Sequence, residues 1–287
     1  MKLYKSNQFF KIYKKLLHDL LHNPEFICEP RGLKIHEILN VSIELTNPLN
    51  SLYYNKRRSS QEKYIAAETI WYFMGVNTTE FITKYASFWN QIKNPDDKTV
   101  NSAYGYCIFN DKIVNQYNWA INSLINDKDS RQAIMHFNKE EHQFKDNKDF
   151  VCTMYANFHI RNNKLYMSVK MRSNDLILGV PTDFAFFCIL QQHVLNDLKQ
   201  YYPELTLGSY VHQIDSLHLY ERNFNLVKEM LENGFKQLKQ WPKVTSNLIK
   251  SKEIESIYNS ELKNTFIKKS KNKFINHVYK TLKDFNI

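Results

Sequence analysis

The segment from residue 151 to 202 constrains the fold of this 287-residue chain more than any other part of the sequence. Residues 151–173 form two strand-like stretches joined by an Asn-Asn-Lys turn, a pattern that predicts a β-hairpin. Residues 182–202 follow as a long, mostly apolar stretch and predict a largely buried helix. An antiparallel strand pair and a buried helix must therefore be neighbouring elements of the fold.

Helix-like and strand-like patterns also alternate through the rest of the chain. The helical patterns lie at residues 4–22, 61–75 and 115–127, with another after residue 215. The strand-like patterns lie at residues 33–45, 131–137 and 207–215. Because these elements alternate without a strict βαβ order, the sequence predicts an α+β fold.

Length and composition bound the domain organisation. A chain of this length with 43% hydrophobic residues has room for one or two folded domains and is not mainly disordered. We expect a main domain over residues 1–236. We expect residues 237–287 to form a Lys-rich helical C-terminal extension that packs on the same domain.

The charge balance is strongly positive, with 39 Lys and Arg residues against 29 Asp and Glu residues. Only seven of the 39 are Arg, and Lys spread over a surface mainly solvates it, so the charge does not favour a nucleic-acid partner. The few Arg residues are more informative, because a guanidinium group can bind an oxyanion through two parallel hydrogen bonds.

The cysteine spacing indicates whether the protein binds a metal, and the hydropathy of the chain indicates where the protein is located. The four cysteines are scattered and none has C-x-x-C spacing, so the sequence predicts no metal site. No stretch of 18 apolar residues and no secretory signal is present, so we expect a cytoplasmic protein with free thiols and no membrane partner.

One group of residues around the hairpin suggests covalent chemistry. Cys152 begins the hairpin, and the second strand can return Arg172 to the same place. A cation beside a thiol favours the nucleophilic thiolate, and Arg172 followed by Ser173 is a good phosphate site. His218 and Tyr220 lie two residues apart on a strand and face one side, where they can bind a sugar. The structural alternatives are a buried cysteine, a salt-bridged arginine and polar groups packed in the core.

These residues belong to an ordered series of motifs that resembles the thymidylate synthase superfamily. Between about residues 28 and 230 the series is Arg31-Gly32, Glu68 in AAETIWYFMG, Tyr104-Gly105, DSR ending at Arg131, Cys152, RSNDLILGVP from Arg172, and SLHLY. The pattern RS-x-D-x-x-x-G-x-P after a cysteine strand is uncommon, which makes the resemblance specific. It implies a homodimer with a large twisted mixed sheet packed against helices, in which the subunits meet through the sheet face.

The resemblance also implies a pyrimidine nucleoside monophosphate as substrate. It assigns the phosphate to Arg31, Arg172 and Ser173, and to Arg131 reaching in from the other subunit. It assigns the sugar to His218 and Tyr220, and further substrate contacts to Asn174 and Asp183.

The implied chemistry is covalent catalysis without a metal. Cys152 adds to ring carbon 6, so that carbon 5 becomes a nucleophile toward the one-carbon unit of 5,10-methylenetetrahydrofolate. Glu68 shuttles protons and Tyr104 assists removal of the proton from carbon 5. Trp89 and Asp175 contact the folate.

Departures from the synthase pattern point to the base. Asp183 follows the GVP segment where synthases have Asn, Thr153 follows the nucleophile where they have His, and Ser216 precedes His218 where they have an acidic residue. These departures resemble the deoxycytidylate hydroxymethylase branch, in which water captures the methylene intermediate. A carboxyl at residue 183 can accept from the cytosine amine and share a proton with the ring nitrogen. Gln132 replaces the second Arg of the family's DSRR, which removes part of the phosphate site.

The sequence therefore predicts a cytidylate 5-hydroxymethyltransferase for dCMP or CMP, serving phage DNA modification or antimetabolite biosynthesis. One alternative is a synthase-like methylase for dCMP or dUMP. The other is a non-catalytic homologue that binds nucleotides or RNA through its Lys-rich surface. The presence of Glu68, Tyr104 and Cys152 together favours an enzyme.

Overall fold

A computed structural model describes residues 2–96, 98–109 and 115–283. Within these residues the strands are β1 (Lys2–Ser6), β2 (Phe26–Cys28), β3 (Ile35–Leu45), β4 (Tyr53–Tyr54), β5 (Ile134–His136), β6 (Thr153–Arg161), β7 (Lys164–Asp175), β8 (Thr206–Tyr220) and β9 (Lys236–Gln237). Seven of them form a mixed sheet in the order β1-β3-β8-β7-β6-β5, with β2 also paired to β3. Strands β4 and β9 form a separate two-stranded sheet.

The helices cover the sheet and carry much of the core. They are α1 (Phe9–His22), α2 (Glu62–Met74), α3 (Tyr104–Phe109), α4 (Gln116–Asn126), α5 (Gly179–Leu198), α6 (Phe224–Glu232), α7 (Lys252–Lys263) and α8 (Lys273–Leu282). Helix α5 is buried along most of its length, and its Gln191 side chain donates to the carbonyl of Leu165 on β7 (2.8 Å). The α+β prediction is therefore confirmed.

The predicted hairpin is confirmed as β6 and β7. Asn162 and Asn163 at its turn have φ angles of 49° and 53°, the left-handed backbone that a two-residue hairpin turn requires and that Asn tolerates. On its other side β7 runs parallel to β8. Asp175 and His218 consequently pair at the C-terminal ends of these two central strands.

The prediction for the N-terminus is partly wrong. Residues 4–22 were expected to form one helix, but Lys2–Ser6 form strand β1, parallel to β3, and α1 begins only at Phe9. The strand is favoured because Tyr4 is buried at the sheet edge and its hydroxyl donates to Asp19 of α1 (2.8 Å). The helices predicted at 61–75, 115–127 and 182–202 are confirmed, although α5 already begins at Gly179.

Residues beyond 236 pack against helices α2 and α5. Trp241 Nε1 donates to Glu62 on α2 (2.7 Å), and the backbone N–H of Leu248 donates to His193 Nε2 on α5 (2.9 Å). Helices α7 and α8 contribute the fully buried side chains Ile254, Ile257, Phe274, Ile275 and Val278. The domain boundary at residue 236 stays a prediction. In the described part of the chain, no helix has the length and apolarity needed to cross a membrane.

Candidate active site

The two ends of the hairpin meet at the predicted nucleophile. Cys152 immediately precedes β6, and its carbonyl oxygen accepts from the backbone N–H of Arg172 (2.9 Å). Nη2 of Arg172 lies 3.5 Å from the Cys152 Sγ and also donates to the carbonyl of Phe150, while Nε donates to the carbonyl of Val151 (3.1 Å). The structure thus brings together the thiol and the guanidinium that the sequence predicts to be neighbours.

The protonation of this thiol differs from the sequence expectation. Burial raises the pKa of Cys152, and the nearby positive charges of Arg172 and Arg31 only partly offset it. The negative charges of Asp183 and Asp149 raise the pKa further. The expectation of a depressed pKa is wrong here because burial outweighs both arginines. The thiol therefore becomes a nucleophile only after its proton has been removed.

Glu68 lies near the middle of α2 with 6% of its surface exposed. Its Oε1 accepts hydrogen bonds from the phenols of Tyr64 (2.7 Å) and Tyr72 (3.2 Å). Burial raises the pKa of Glu68 to about 8, the charge of Asp183 acts in the same direction, and the two phenols act against it. Glu68 is consequently protonated at neutral pH and can act as a general acid.

Trp89 is connected to Glu68 through Tyr64. Its Nε1 donates to the Tyr64 hydroxyl (3.0 Å), so the single polar atom of Trp89 is used inside the protein. The indole ring packs edge-on against Trp71, with the ring centroids 4.9 Å apart. The N–H group of Trp89 is therefore not available to a bound molecule, and only 6% of the residue is exposed.

Tyr104 lies among the other candidates. Its ring stacks on Tyr72 with the centroids 5.3 Å apart. Burial raises the pKa of the Tyr104 phenol, and the charges of Asp183, Cys152 and Glu68 all add to that rise. The phenol therefore stays protonated and lies close enough to all three residues to interact with them electrostatically.

Asp183 is a partly buried residue near the start of α5. Nδ2 of Asn174 donates to its Oδ2 (3.1 Å) and lies at the same distance from Nε2 of His212. Burial raises the pKa of Asp183 to about 7, and the Asn174 bond opposes that shift. A Cβ atom on Gly179 would lie 2.1 Å from the Asn174 Oδ1, so glycine is needed where α5 begins. Near neutral pH the carboxyl can either accept a hydrogen bond or donate a proton.

The predicted sugar residues lie at the ends of the central strands. His218 on β8 pairs with Glu37 on β3 and with Asp175 on β7. Burial lowers the pKa of His218, whereas the charges of Asp175 and Glu37 oppose that shift. The rings of His218 and Tyr220 meet edge-on with centroids 5.1 Å apart. Ser216 donates a hydrogen bond to Glu37 of β3. A carboxylate from β3 therefore lies beside the position of β8 at which Ser216 replaces the acidic residue of the synthases.

The remaining predicted residues occupy less enclosed positions. Ser173 pairs with Ser216 across β7 and β8. Arg31 is exposed, with a φ angle of 54°, in the turn before β3. Arg131 is exposed as well, and among the described residues no hydrogen bond or ion pair joins it to the other candidates.

Sequence reasoning missed three residues of this site. Tyr64 lies one helical turn before Glu68, and that i, i+4 spacing is a readable signal. His212 lies on β8 in the same alternating series as His218. Glu37 had no local signal, because its position beside His218 depends on a strand pairing between distant segments.

The described residues contain no cluster of three or more His, Cys, Asp or Glu side chains that could hold a metal ion. The candidate residues themselves supply a thiol, two carboxyls with raised pKa values, a phenol and several arginines.

Comparison with known proteins places this arrangement in a family. A family described as thymidylate synthase matches residues 11–273. The chain is 28% identical over 221 residues to the deoxycytidylate 5-hydroxymethyltransferase of Enterobacteria phage T6, covering 75% of this chain and 87% of the relative. It is 29% identical over 222 residues to the deoxyuridylate hydroxymethyltransferase of Bacillus phage SP01, covering 73% and 56%.

A thymidylate synthase from Bacillus mojavensis is 28% identical over 251 residues, covering 82% of this chain and 87% of the relative. All three relatives are one-carbon transferases. The family match spans well over half of the chain and includes every candidate residue of the site. The chain therefore belongs to the thymidylate synthase family.

Proposed function

We propose that this protein is a cytidylate 5-hydroxymethyltransferase that acts on dCMP or CMP. Its family acts on pyrimidine nucleoside monophosphates with 5,10-methylenetetrahydrofolate as co-substrate. The observation that carries the proposal is the partly buried carboxyl of Asp183, whose charge acts on Cys152, Tyr104 and Glu68. The phage relatives named deoxycytidylate 5-hydroxymethyltransferase support the same reaction.

Asp183 suits cytosine because of the groups that this base presents. Cytosine offers an amine donor and a bare ring nitrogen, and a carboxyl can accept from the first while giving a proton to the second. A pKa of about 7 allows the carboxyl to hold that proton near neutral pH. When ionised, the same carboxylate would face the uracil carbonyl with a second acceptor, and an unpaired buried polar group is costly.

Covalent activation of the ring starts at Cys152. Cys152 enters the reaction as a thiolate, after its thiol has lost its proton to solvent. The thiolate adds to carbon 6, and Asp183 gives its proton to the ring nitrogen, so the added charge is neutralised. The co-substrate supplies the one-carbon unit that bonds to carbon 5. Tyr104 assists the transfer of the proton from carbon 5 to one of the two nitrogens that release the one-carbon unit, and Glu68 can give its proton to the other, so both nitrogens of the departing co-substrate are protonated.

The remaining steps regenerate the site. Ionised Glu68 can take a proton from the water that adds to the new exocyclic carbon, which restores its neutral form. The thiolate then leaves carbon 6, and the ring returns its proton to Asp183. Carbon 5 has gained CH₂O, and each residue ends in its starting protonation state.

The surroundings of Trp89 and Asp175 fit a folate. Phe88 and Leu178, their neighbours in the chain, are both 54% exposed and provide apolar surface for a flat ring system. Asp175 Oδ1 accepts from the backbone N–H groups of Ile177 (2.6 Å) and Leu178 (3.0 Å), which holds Leu178 in that position.

The exposed position of Arg131 supports a homodimer. Its side chain is free of the other candidates in its own chain, as expected if it serves the phosphate site of a second subunit. Side chains on one face of β6, β7 and β8 are only partly buried, which leaves a sheet face for that second copy. Arg31, Arg172 and Ser173 would complete the phosphate site from within the chain.

Product mass tests the reaction directly. The purified protein is incubated with 5,10-methylenetetrahydrofolate and, separately, CMP, dCMP, UMP and dUMP, and the nucleotides are analysed by mass spectrometry. We expect a gain of CH₂O on a cytidylate and none with the Cys152→Ser variant, because a hydroxyl is not ionised at neutral pH.

Other outcomes identify the alternatives. A gain of CH₂ would identify a methylase, and a gain of CH₂O on dUMP would match the activity named for the phage SP01 relative. Binding of nucleotides without any change in mass would indicate the non-catalytic homologue. Each of these outcomes would contradict the proposal.

A further inference from the structure

The contacts of Glu68 form a chain of hydrogen bonds that extends beyond the residues to which the proposed function gives a role. Trp89 donates to Tyr64 at 3.0 Å, and Tyr64 donates to Glu68 Oε1 at 2.7 Å. Tyr72 donates to the same oxygen at 3.2 Å. Tyr64 and Tyr72 lie one turn before and one turn after Glu68 on α2, so the rigid helix fixes all three relative positions.

The direction of these bonds follows from the donor inventory. The indole of Trp89 can only donate, so the Tyr64 oxygen must accept from it and the single phenolic proton of Tyr64 is directed to Glu68. Two phenol protons then occupy the two lone pairs of Oε1. When Glu68 is protonated, its own proton must consequently reside on Oε2.

We propose that Tyr64 is a positioning residue that, oriented by Trp89, reserves Oε1 of Glu68 as an acceptor and leaves Oε2 as the oxygen that gives and takes the proton. This inference rests on the proposed function for its chemical meaning. A proton held on one defined oxygen leaves Glu68 in a single orientation, which general acid catalysis requires.

The same arrangement connects the proposed folate side of the site to the acid. Trp89 is 6% exposed, its ring packs against Trp71, and its N–H is committed to Tyr64. A shift of the indole on binding would therefore be transmitted through Tyr64 to Glu68. The ionisable groups that act on Glu68 are Tyr64, Tyr72, Asp183 and Tyr104.

The test compares the pH dependence of variants that each lack one hydroxyl. Removing a donor from a carboxylate raises its pKa, so Tyr64→Phe should move the alkaline limb of the kcat profile upward by roughly one pH unit. The KM for the nucleotide should remain near that of the wild type. Tyr72→Phe should shift the limb less, because its hydrogen bond is longer.

Tyr202→Phe is the matched control, since that phenol donates to the backbone carbonyl of Leu124 (2.8 Å) and does not contact Glu68. Its pH profile should coincide with that of the wild type. Trp89→Phe keeps an aromatic ring but removes the N–H group, and should shift the limb in the same direction as Tyr64→Phe. A Tyr64→Phe profile that coincides with the wild type would overturn the proposal.

A readout without turnover separates this inference from the proposed function. The infrared band of the Glu68 carboxylic acid, assigned by its loss in Glu68→Gln, is titrated in the wild type and in Tyr64→Phe. We expect a higher midpoint in Tyr64→Phe, even if the wild type hydroxymethylates no cytidylate. An unchanged midpoint would refute the role of Tyr64, whatever the reaction is.

Discussion

Glu68 is a buried carboxyl and Asp183 is a partly buried one in the same site, and no cation among the described residues is bonded to either. Burial raises both pKa values, to about 8 and about 7, so each residue can hold a proton near neutral pH. The negative charge of either carboxylate also makes ionisation of the other carboxyl less favourable, because like charges repel strongly in a low dielectric. Near neutral pH the two residues can therefore carry the protons that they give up in the proposed reaction.

The raised pKa of Glu68 lowers the free energy of unfolding in a defined pH range. The unfolded chain releases the Glu68 proton near the ordinary value of 4.5, whereas the folded chain keeps it until about pH 8, so stability falls as the pH rises between these values. Glu68→Gln keeps an acceptor for both phenols and cannot ionise. We expect it to unfold at the same temperature as the wild type near pH 4.5 and to be more stable at pH 8 by about 4 kcal/mol. Thermal unfolding across this range checks it, and a difference independent of pH would contradict the argument.

The base preference is also decided at one residue. Asp183→Asn replaces a carboxyl with an amide, which presents one fixed donor and one fixed acceptor. We expect cytidylate turnover to fall by several powers of ten and uridylate turnover to become detectable, because one buried contact is reversed at a few kcal/mol. The measurement is kcat/KM for CMP, dCMP, UMP and dUMP in both proteins. A wild type that already prefers dUMP would contradict the role of Asp183.

At the scale of elements, the sequence patterns predict the helices and strands correctly where residues close together in the chain determine the structure. The Asn162-Asn163 turn fixes the hairpin, and the hairpin alone places Arg172 beside Cys152. The N-terminal strand was not predictable, because Tyr4 is buried only once β3 is in place. The pairing of Glu37 with His218 likewise depends on strand register across distant segments.

Helix α5 begins at Gly179, next to the side chain of Asn174 on β7. A methyl group on Gly179 would meet Asn174 Oδ1, which is buried and has no hydrogen-bond partner among the described residues. Gly179→Ala should therefore displace the Asn174 amide, break its bond to Asp183, and lower kcat/KM for cytidylate by about ten- to a hundredfold.

A double-mutant cycle supplies the control for this prediction. In an Asn174→Ala background the clash is absent, so adding Gly179→Ala should cost little more activity. Additive losses in kcat/KM would show that Gly179 acts through something other than Asn174.

At the scale of the whole molecule, the C-terminal extension and the sheet hold the site between them. The extension packs on α2, which carries Glu68, and on α5, which carries Asp183, through Trp241 and Leu248. The hairpin carries Cys152 on the sheet side. Side chains on α2, on α5 and at the start of the hairpin are therefore fixed relative to one another by one shared core rather than by a flexible loop.

The proposed dimer predicts that two inactive variants can restore activity to each other. If Arg131 serves the phosphate site of the other subunit, Arg131→Ala and Cys152→Ser inactivate different halves of a site. A mixed dimer of the two variants then contains one site with neither substitution and one site with both. Random pairing makes half of the dimers mixed, so mixing should restore about a quarter of wild-type kcat.

The experiment unfolds and refolds the two variants together at equal concentration and follows activity against each variant refolded alone. Activity near one quarter of the wild type supports a shared site, because neither variant can supply it by itself. Arg161→Ala replaces Arg131→Ala in the control mixture. Arg161 already donates to the backbone carbonyl of Asp129 in its own chain (3.1 Å), so Arg161→Ala should be active both alone and when mixed. If Arg131→Ala with Cys152→Ser remains inactive while the refolded wild type is active, Arg131 serves the phosphate site of its own chain. If Arg131→Ala is active when refolded alone, Arg131 serves no phosphate.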